Sequence, residues 1–195
     1  MLCEDLRGAS GERDENQMPS NLLTQTDQDP DGLAVASVGS DVTYTWGGLE
    51  SRARRFAAAL ASEGLRPGER WALMAHNRIE WTPMVLGNLR AGTRYVPVNW
   101  HLTVDEIAYL LTDSGSRLLV VDAPSEVAGR AAAAAAGIDR VVVLGASPGE
   151  GEFEDWLAAH PDVQPPDDPV GGPRNYTSGT TGRPKGVQRS DQKGT

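Results

Sequence analysis

Two short runs of purely aliphatic residues, Leu118-Leu119-Val120-Val121 and Val141-Val142-Val143-Leu144, constrain this chain more than any other feature. A strand with one wet face alternates apolar with polar residues. A run that is apolar at every position has neither face in water. Between the runs lies an alanine-rich stretch, Ser125 to Ala136, that reads as a helix. Strand, helix, strand with both strand faces buried is the pattern of a parallel sheet covered on each side by helices.

The rest of the chain repeats the alternation. Leu33 to Val38 and Val42 to Trp46 read as short strands, the second alternating Val, Tyr and Trp with Thr. Leu49, Ala53, Phe56 and Leu60 then recur at the spacing of one helical face, and Gly64 stands where a left-handed cap would end that helix. Arg66-Pro67-Gly68 predicts a turn into a strand from Arg70 to Met74. The following helix starts either at Asn77, with Glu80 three residues on, or at Thr82, with Pro83 in the first position. It ends near Arg90-Ala91-Gly92. Tyr95-Val96-Pro97-Val98 predicts a short strand that Pro97 confines to an irregular or edge role. Thr103-Val104-Asp105-Glu106 has the form of a capping box, Ile107, Leu110 and Leu111 supply the apolar face behind it, and Gly115 ends the helix. Pro161 to Pro173, with five prolines, reads as a connector. The fold class this implies is α/β, a layered, mostly parallel sheet flanked by helices.

In front of the alternation, Gly8 to Pro30 is crowded with Gly, Ser, Asn, Gln, Asp and Glu and offers only Met18, Leu22 and Leu23 as large apolar groups. Such a segment buries too little to offset chain entropy, so 1–31 reads as a mobile polar leader before an ordered region, 32–195.

Charge narrows the partners. The formal net charge is -9, yet residues 171–195 carry Arg174, Arg183, Lys185, Arg189 and Lys193 against the single acid Asp191. An acidic body argues against nucleic acid or an anionic membrane, and a small basic island at one end suits a compact anion. Cys3 is the only cysteine, so no disulfide forms within the chain and a reducing, cytoplasmic setting is expected. No secretory leader is legible. The longest small-apolar run, Ala131 to Ala136, is too short for a transmembrane segment.

One segment speaks of chemistry: Tyr176-Thr177-Ser178-Gly179-Thr180-Thr181-Gly182-Arg183-Pro184-Lys185-Gly186. Its glycines let backbone amides approach a ligand, its hydroxyls offer short-reach donors, and Lys185 adds a point charge, which together suit a polyphosphate. A plain surface turn is the bland alternative for any Gly/Thr/Ser-rich stretch. The common nucleotide loop that ends in Gly-Lys-Ser/Thr is excluded, because Arg183 follows Gly182 and Gly186 follows Lys185.

These eleven residues closely resemble the phosphate-loop signature of the adenylate-forming (AMP-dependent synthetase/ligase) superfamily, which includes acyl-CoA synthetases, firefly luciferase and peptide-synthetase adenylation domains. Thr43-Tyr44, Gly68-Glu69-Arg70, Asn77, Glu80, Arg90-Ala91-Gly92, Tyr95-Val96-Pro97-Val98-Asn99, Glu106, Tyr109 and Asp113-Ser114 look like that family's N-terminal region. The resemblance covers roughly residues 32–187. It implies that 32–195 is an incomplete N-terminal portion of the large AMP-binding domain, ending after the phosphate loop. It further implies an acyl-CoA synthetase, in which a carboxylate attacks the α-phosphorus of ATP to give an acyl-adenylate and pyrophosphate, and coenzyme A then takes the acyl group. Thr177, Ser178, Gly179, Thr180, Thr181 and Gly182 would wrap the β- and γ-phosphates, Lys185 would neutralise the leaving pyrophosphate, and Mg²⁺ would accompany the triphosphate.

The family's catalytic lysine, ribose-binding aspartate and acyl pocket match nothing up to Thr195, so no residue is expected to be catalytic and no metal ligand is assigned. Gly171-Gly172-Pro173-Arg174-Asn175 departs from the family, which feeds this loop from an apolar strand, and the polar pair Arg174-Asn175 is expected to loosen its anchoring. A non-catalytic remnant or small binding module that keeps the phosphate loop is the competing reading, and within enzymes a peptide-synthetase adenylation domain. His76, His101 and His160 share no spacing and receive no role. Trp100-His101 either lines a substrate or thiol channel or, more plainly, supplies a buried aromatic beside a strand end.

Overall fold

The computed structural model describes residues 26–38, 41–163, 171–177 and 185–187. Most of the leader, 1–25 with Cys3, lies outside the described residues. Strands β1 (Leu33–Ala36) and β2 (Thr43–Thr45) pair antiparallel as a small separate sheet, both shorter than the sequence pattern suggests. Helix α1 (Trp46–Ser62) follows, with the Thr45 hydroxyl accepting from Gly48 N at its start and Gly64 beyond its end at φ 77°. Trp46 N donates to Gly32 O and Gly47 N to Pro30 O, so residues 30–32 sit directly on the helix start.

The main sheet holds β3 (Arg70–Met74), β4 (Arg94–Pro97), β5 (Ser116–Asp122), β6 (Arg140–Leu144) and β7 (Gly172–Pro173) in the order β6-β5-β3-β4-β7. Every pairing is parallel. Helices α2 (Trp81–Ala91), α3 (Val104–Ser114) and α4 (Glu126–Ala136) connect successive strands, and α5 (Glu152–Ala158) follows β6. On one face Leu118, Val120, Val142 and Leu144 meet Phe56, Leu60, Met84, Phe153 and Trp156, which come from α1, α2 and α5. On the other, Leu119, Val121, Val141 and Val143 meet Ile107, Leu110, Leu111, Ala132 and Ala133 of α3 and α4. Each aliphatic run therefore divides residue by residue between two cores, which is why neither run contains a polar position. Among the described residues no helix is long and apolar enough to cross a membrane.

The capping box forms as read: Thr103 N donates to Glu106 Oε2 at 2.8 Å and the Thr103 hydroxyl accepts from Glu106 N. Gly115 closes α3 at φ 65°.

Several elements differ from the sequence reading. Helix α2 begins at Trp81, between the two proposed starts, and Pro83 falls in its first turn, where an amide has no helical partner to lose. Ser125 belongs to a 3-10 turn, Ala123–Ser125, ahead of α4. The connector's last two residues join the sheet as β7, and α5 has no counterpart in the reading.

Strand β4 is interior, which corrects the edge role given to Pro97. Arg94 N donates to Glu69 O and Val98 N to Leu73 O, so the amides of even residues face β3 and those of odd residues face the other neighbour. That neighbour, β7, pairs only with Arg94 and Tyr95. The amide that Pro97 lacks would point where β7 has already ended.

Candidate functional site

Beyond β7 the chain forms a hairpin of β8 (Asn175–Thr177) and β9 (Lys185–Val187), paired antiparallel with Tyr176 opposite Gly186 and Thr177 opposite Lys185. Of the seven residues the resemblance assigns to phosphate binding, Thr177 and Lys185 are thus brought together as backbone partners at the two ends of the loop. Ser178, Gly179, Thr180, Thr181 and Gly182 lie outside the described residues.

The polar pentad 171–175 is held firmly, contrary to the expectation that Arg174-Asn175 loosens the loop's anchoring. Gly171 N donates to Leu89 O, Gly172 N to Thr93 O and Arg174 N to Tyr95 O, the last at 2.8 Å. A Cβ on Gly171 would stand 2.2 Å from Asn88 O, so main chain passes main chain at a distance only glycine allows. Tyr176 then donates its hydroxyl to Asp113 Oδ2 at 2.6 Å, tying the hairpin to the last turn of α3. Burial, and next that carboxylate, push the phenol up to about 12, so it stays a donor across the physiological range. Arg174 lies 6.0 Å above the Tyr176 ring. Gly186 leaves room for both, since a Cβ there would meet Arg174 Nε at 3.0 Å and Tyr176 Cζ at 3.2 Å. Arg174 Nε is buried and has no hydrogen-bond partner among the described residues. A cation with an unused donor at the base of a hydroxyl-rich loop fits an anionic ligand.

A second group of polar side chains sits at the carboxyl ends of the central strands. His76 lies two residues past β3 and Asp122 ends β5. Asp122 Oδ2 accepts from His76 N at 2.8 Å and from His76 Nδ1 at 2.6 Å, while Oδ1 accepts from Ser125 N. Burial works to raise this carboxyl, but hydrogen bonds from Ser125 and His76 hold it below the usual aspartate value. Trp100, past the end of β4, stacks on the His76 ring at 4.0 Å, and the His101 ring lies against it in turn. At 41% exposed, Trp100 is not the buried aromatic that the plainer reading offered. The loop after β3 is braced by Trp81 Nε1 donating to His76 O and by Arg78, which pairs with Glu80 and donates to Gly145 O. Sequence spacing could not join His76 to Asp122, 46 residues apart. The available signal was that each follows a strand of one parallel sheet. Among the described residues no three His, Cys, Asp or Glu side chains come together to hold a metal ion.

Residues 22–193 match the family model described as AMP-binding enzyme. A fatty acid–[acyl-carrier-protein] ligase of Streptomyces coeruleorubidus is 39% identical over 166 residues, a match that spans 82% of this chain and 30% of the relative. A long-chain-fatty-acid–CoA ligase of Mycobacterium tuberculosis is 32% identical over 166 residues, spanning 79% and 31%. The ATP-bound MatB from Rhodopseudomonas palustris superposes with a TM-score of 0.71 at 31% identity, covering 86% of this chain and 33% of that one. This chain spans about a third of the length of the curated relatives it matches.

Proposed function

The chain belongs to the AMP-binding enzyme family, and on that premise we propose that it is the N-terminal part of an ATP-dependent acyl-CoA synthetase. The enzyme joins a carboxylate to ATP, releasing pyrophosphate, and passes the acyl group from the adenylate to the thiol of coenzyme A. Within it, 1–31 is a leader and 32–195 the first portion of the AMP-binding domain. The observation that carries this reading is the hairpin that sets Lys185 against Thr177 across a Gly/Thr/Ser-rich loop, with the buried Arg174 Nε unused beside it. Thr177 to Gly182 supply amides and hydroxyls to the β- and γ-phosphates, and Lys185 offsets charge on the departing pyrophosphate. Mg²⁺ enters with the triphosphate, since it binds phosphate oxygens and water rather than an all-protein cage. Fatty acids are the first carboxylates to screen, because the names of two relatives specify them. A lone cysteine, Cys3, fits a cytoplasmic enzyme.

The Streptomyces relative, named for an acyl-carrier protein, favours a second reading in which the thiol belongs to a carrier domain, as for a peptide-synthetase adenylation domain. Activity of the isolated chain is a separate matter. With about two thirds of the relatives' length unmatched, it is expected not to form acyl-adenylate.

The test has two arms. The native product is isolated with an antibody to residues 32–170 and assayed for carboxylate-dependent ATP–pyrophosphate exchange, with coenzyme A and a carrier protein as competing acceptors. In the 195-residue chain, ATP is expected to bind more tightly than AMP, and Lys185→Ala to erase that preference. Exchange absent for every carboxylate, together with no ATP preference, would leave only a non-catalytic remnant.

A further inference from the structure

We infer that the cleft between β2, the first turns of α1 and helix α5 binds a small carboxylate with a short apolar body, its head taken by Tyr44 and Arg52. The cavity there holds about 580 Å³ and draws its walls from residues 43–55 and 154–158. That is within the size range of small-molecule sites. Helices α1 and α5 cover one face of the main sheet, whereas Tyr176 of the hairpin packs on the core of the other. The cleft is thus separate from the loop assigned to phosphate, and the inference does not depend on the ligase reading.

Two donors in its wall have nothing to bond. Tyr44 is 9% exposed, and neither its hydroxyl nor Arg52 Nε has a hydrogen-bond partner among the described residues. Buried donors left unpaired cost stability, so two of them on one cavity call for an acceptor from outside the chain. Burial, the largest influence, pushes the Tyr44 phenol up to about 12 against the pull of the Arg52 guanidinium, so it remains a donor. That guanidinium lies 4.9 Å above the Tyr44 ring and is held there by its ion pair with Glu154. An oxygen that reaches both the hydroxyl and Nε satisfies both. The start of α1 takes no part, because Trp46 N, Gly47 N and Gly48 N already donate to Gly32 O, Pro30 O and Thr45 Oγ1.

Charge selects the ligand class. Glu154 offsets Arg52. Arg55, also on the cavity wall, donates to Ala158 O and, at 2.7 Å, to His160 O, and forms no ion pair among the described residues. Asp162 does not supply the missing charge, since it is paired with Arg54. The wall therefore carries two guanidiniums against one carboxylate, which favours a monoanion over a neutral carbonyl. A second negative charge on the ligand would meet Glu154, and Glu80 also bears on the Tyr44 hydroxyl, so a phosphate dianion is disfavoured. Leu157 and Ala158 line the side left for an apolar body.

The experiment uses the 195-residue chain, with hexanoate as the probe and NMR amide shifts as the readout. Hexanoate is expected to move Gly48 and Leu157, one on each wall, while Asn175 and Thr177 of the hairpin stay in place. Hexanol, hexylammonium and inorganic phosphate at matched ionic strength should each act several-fold more weakly. Tyr44→Phe removes a hydroxyl that the fold leaves unbonded, so it should melt no lower than the parent and yet bind hexanoate several-fold more weakly. Arg52→Lys keeps a cation for Glu154 but has no Nε, and should weaken hexanoate in the same way. A Tyr44→Phe chain that melts several degrees lower overturns the proposal, because the hydroxyl would then have its partner within the fold. Unweakened binding in both variants overturns it as well. An equal response to hexanol would mark an apolar crevice only, and an equal response to phosphate an adventitious anion; either result, or shifts confined to the hairpin, removes the site.

Discussion

Replacing Gly87 with alanine sets two effects of known size against each other. Gly87 is buried inside α2, where it faces α1. In a helix interior alanine is favoured over glycine by about 1 kcal/mol. Against this, the new Cβ would stand 2.5 Å from Ala53 O and 3.0 Å from both Cβ and Cδ1 of Phe56. Carbon and oxygen in contact normally keep about 3.3 Å, so the helices must part by a large fraction of an ångström. Ala53 O is main chain inside a hydrogen-bonded helix and cannot swing aside. Separation also loosens the packing of Phe56 on Trp71, Phe153 and Trp156, whose rings lie 5.1, 6.2 and 5.8 Å from its own. Overpacking of this kind costs about 1–3 kcal/mol, and an unyielding obstacle puts it in the upper half. The net expectation is a loss of about 1–2 kcal/mol, or roughly 2–8 °C in Tm for a chain of this size.

Gly129→Ala is the internal control. It lies inside α4 with the same gain in helix propensity, but its Cβ would meet side chains only, Val121 Cγ1 at 2.6 Å and Met74 Cε at 3.1 Å. Met74 can change rotamer while Val121 is stiff, so strain and propensity roughly cancel. Urea unfolding followed by circular dichroism, with an unchanged m value, gives the ranking. Gly87→Ala more stable than the parent by about 1 kcal/mol, the propensity gain alone, would refute the close approach of α1 and α2. Gly129→Ala as the more damaged of the two would refute the argument that main chain yields less than side chain.

Three further outcomes follow from the described contacts. Thr103→Ala removes the hydroxyl that caps α3 and should cost about 1 kcal/mol, with Thr103→Ser nearly restoring it in urea titrations. Tyr176→Phe leaves the ring in place but removes the bond to Asp113; a stability loss of about 1 kcal/mol or less, with faster amide exchange at Asn175 and Thr177, is expected, and unaltered exchange would show that the tether does not hold the hairpin. Asp122 titrates below its unfolded value of about 3.9, so its share of stability is complete above roughly pH 4 and drains as acid takes the pH through the folded value. Asp122→Asn should accordingly flatten part of the acid limb of a stability–pH curve.

Local chemistry made much of this fold legible. Thr103 with Glu106, Gly64 and Gly115 act through bonds three or four residues long, so their sequence spacing is their structure. The aliphatic runs were equally plain, because burial on two faces forbids polar positions in any register. Pro97 misled for a physical reason: a missing amide counts only if a neighbour would have received it, and whether β7 reaches that far depends on a strand of two residues built from Gly172 and Pro173. Those two residues carry no strand signal of their own; they pair because Gly171 can pass within contact of Asn88 O.

The site divides along the same line. The loop proposed to bind phosphate is a continuous stretch whose residues are read together, so Thr177 and Lys185 are candidates from the sequence alone, and the structure adds their backbone pairing. His76, Trp100 and Asp122 come from the ends of β3, β4 and β5, and what unites them is the order in which a parallel sheet lays those strands down. Had β5 been laid beside β4 instead of β3, Asp122 would lie a strand's width farther from His76, and the imidazole would have no carboxylate to hold its tautomer. Helix α2 packs on one face of the sheet and α3 and α4 on the other, and Leu118 to Val121 divide residue by residue between those two cores. The apolar run that marks a parallel sheet ends in Asp122, and its pairing with β3, Met74 opposite Val121, is what brings His76 to a carboxylate 46 residues away.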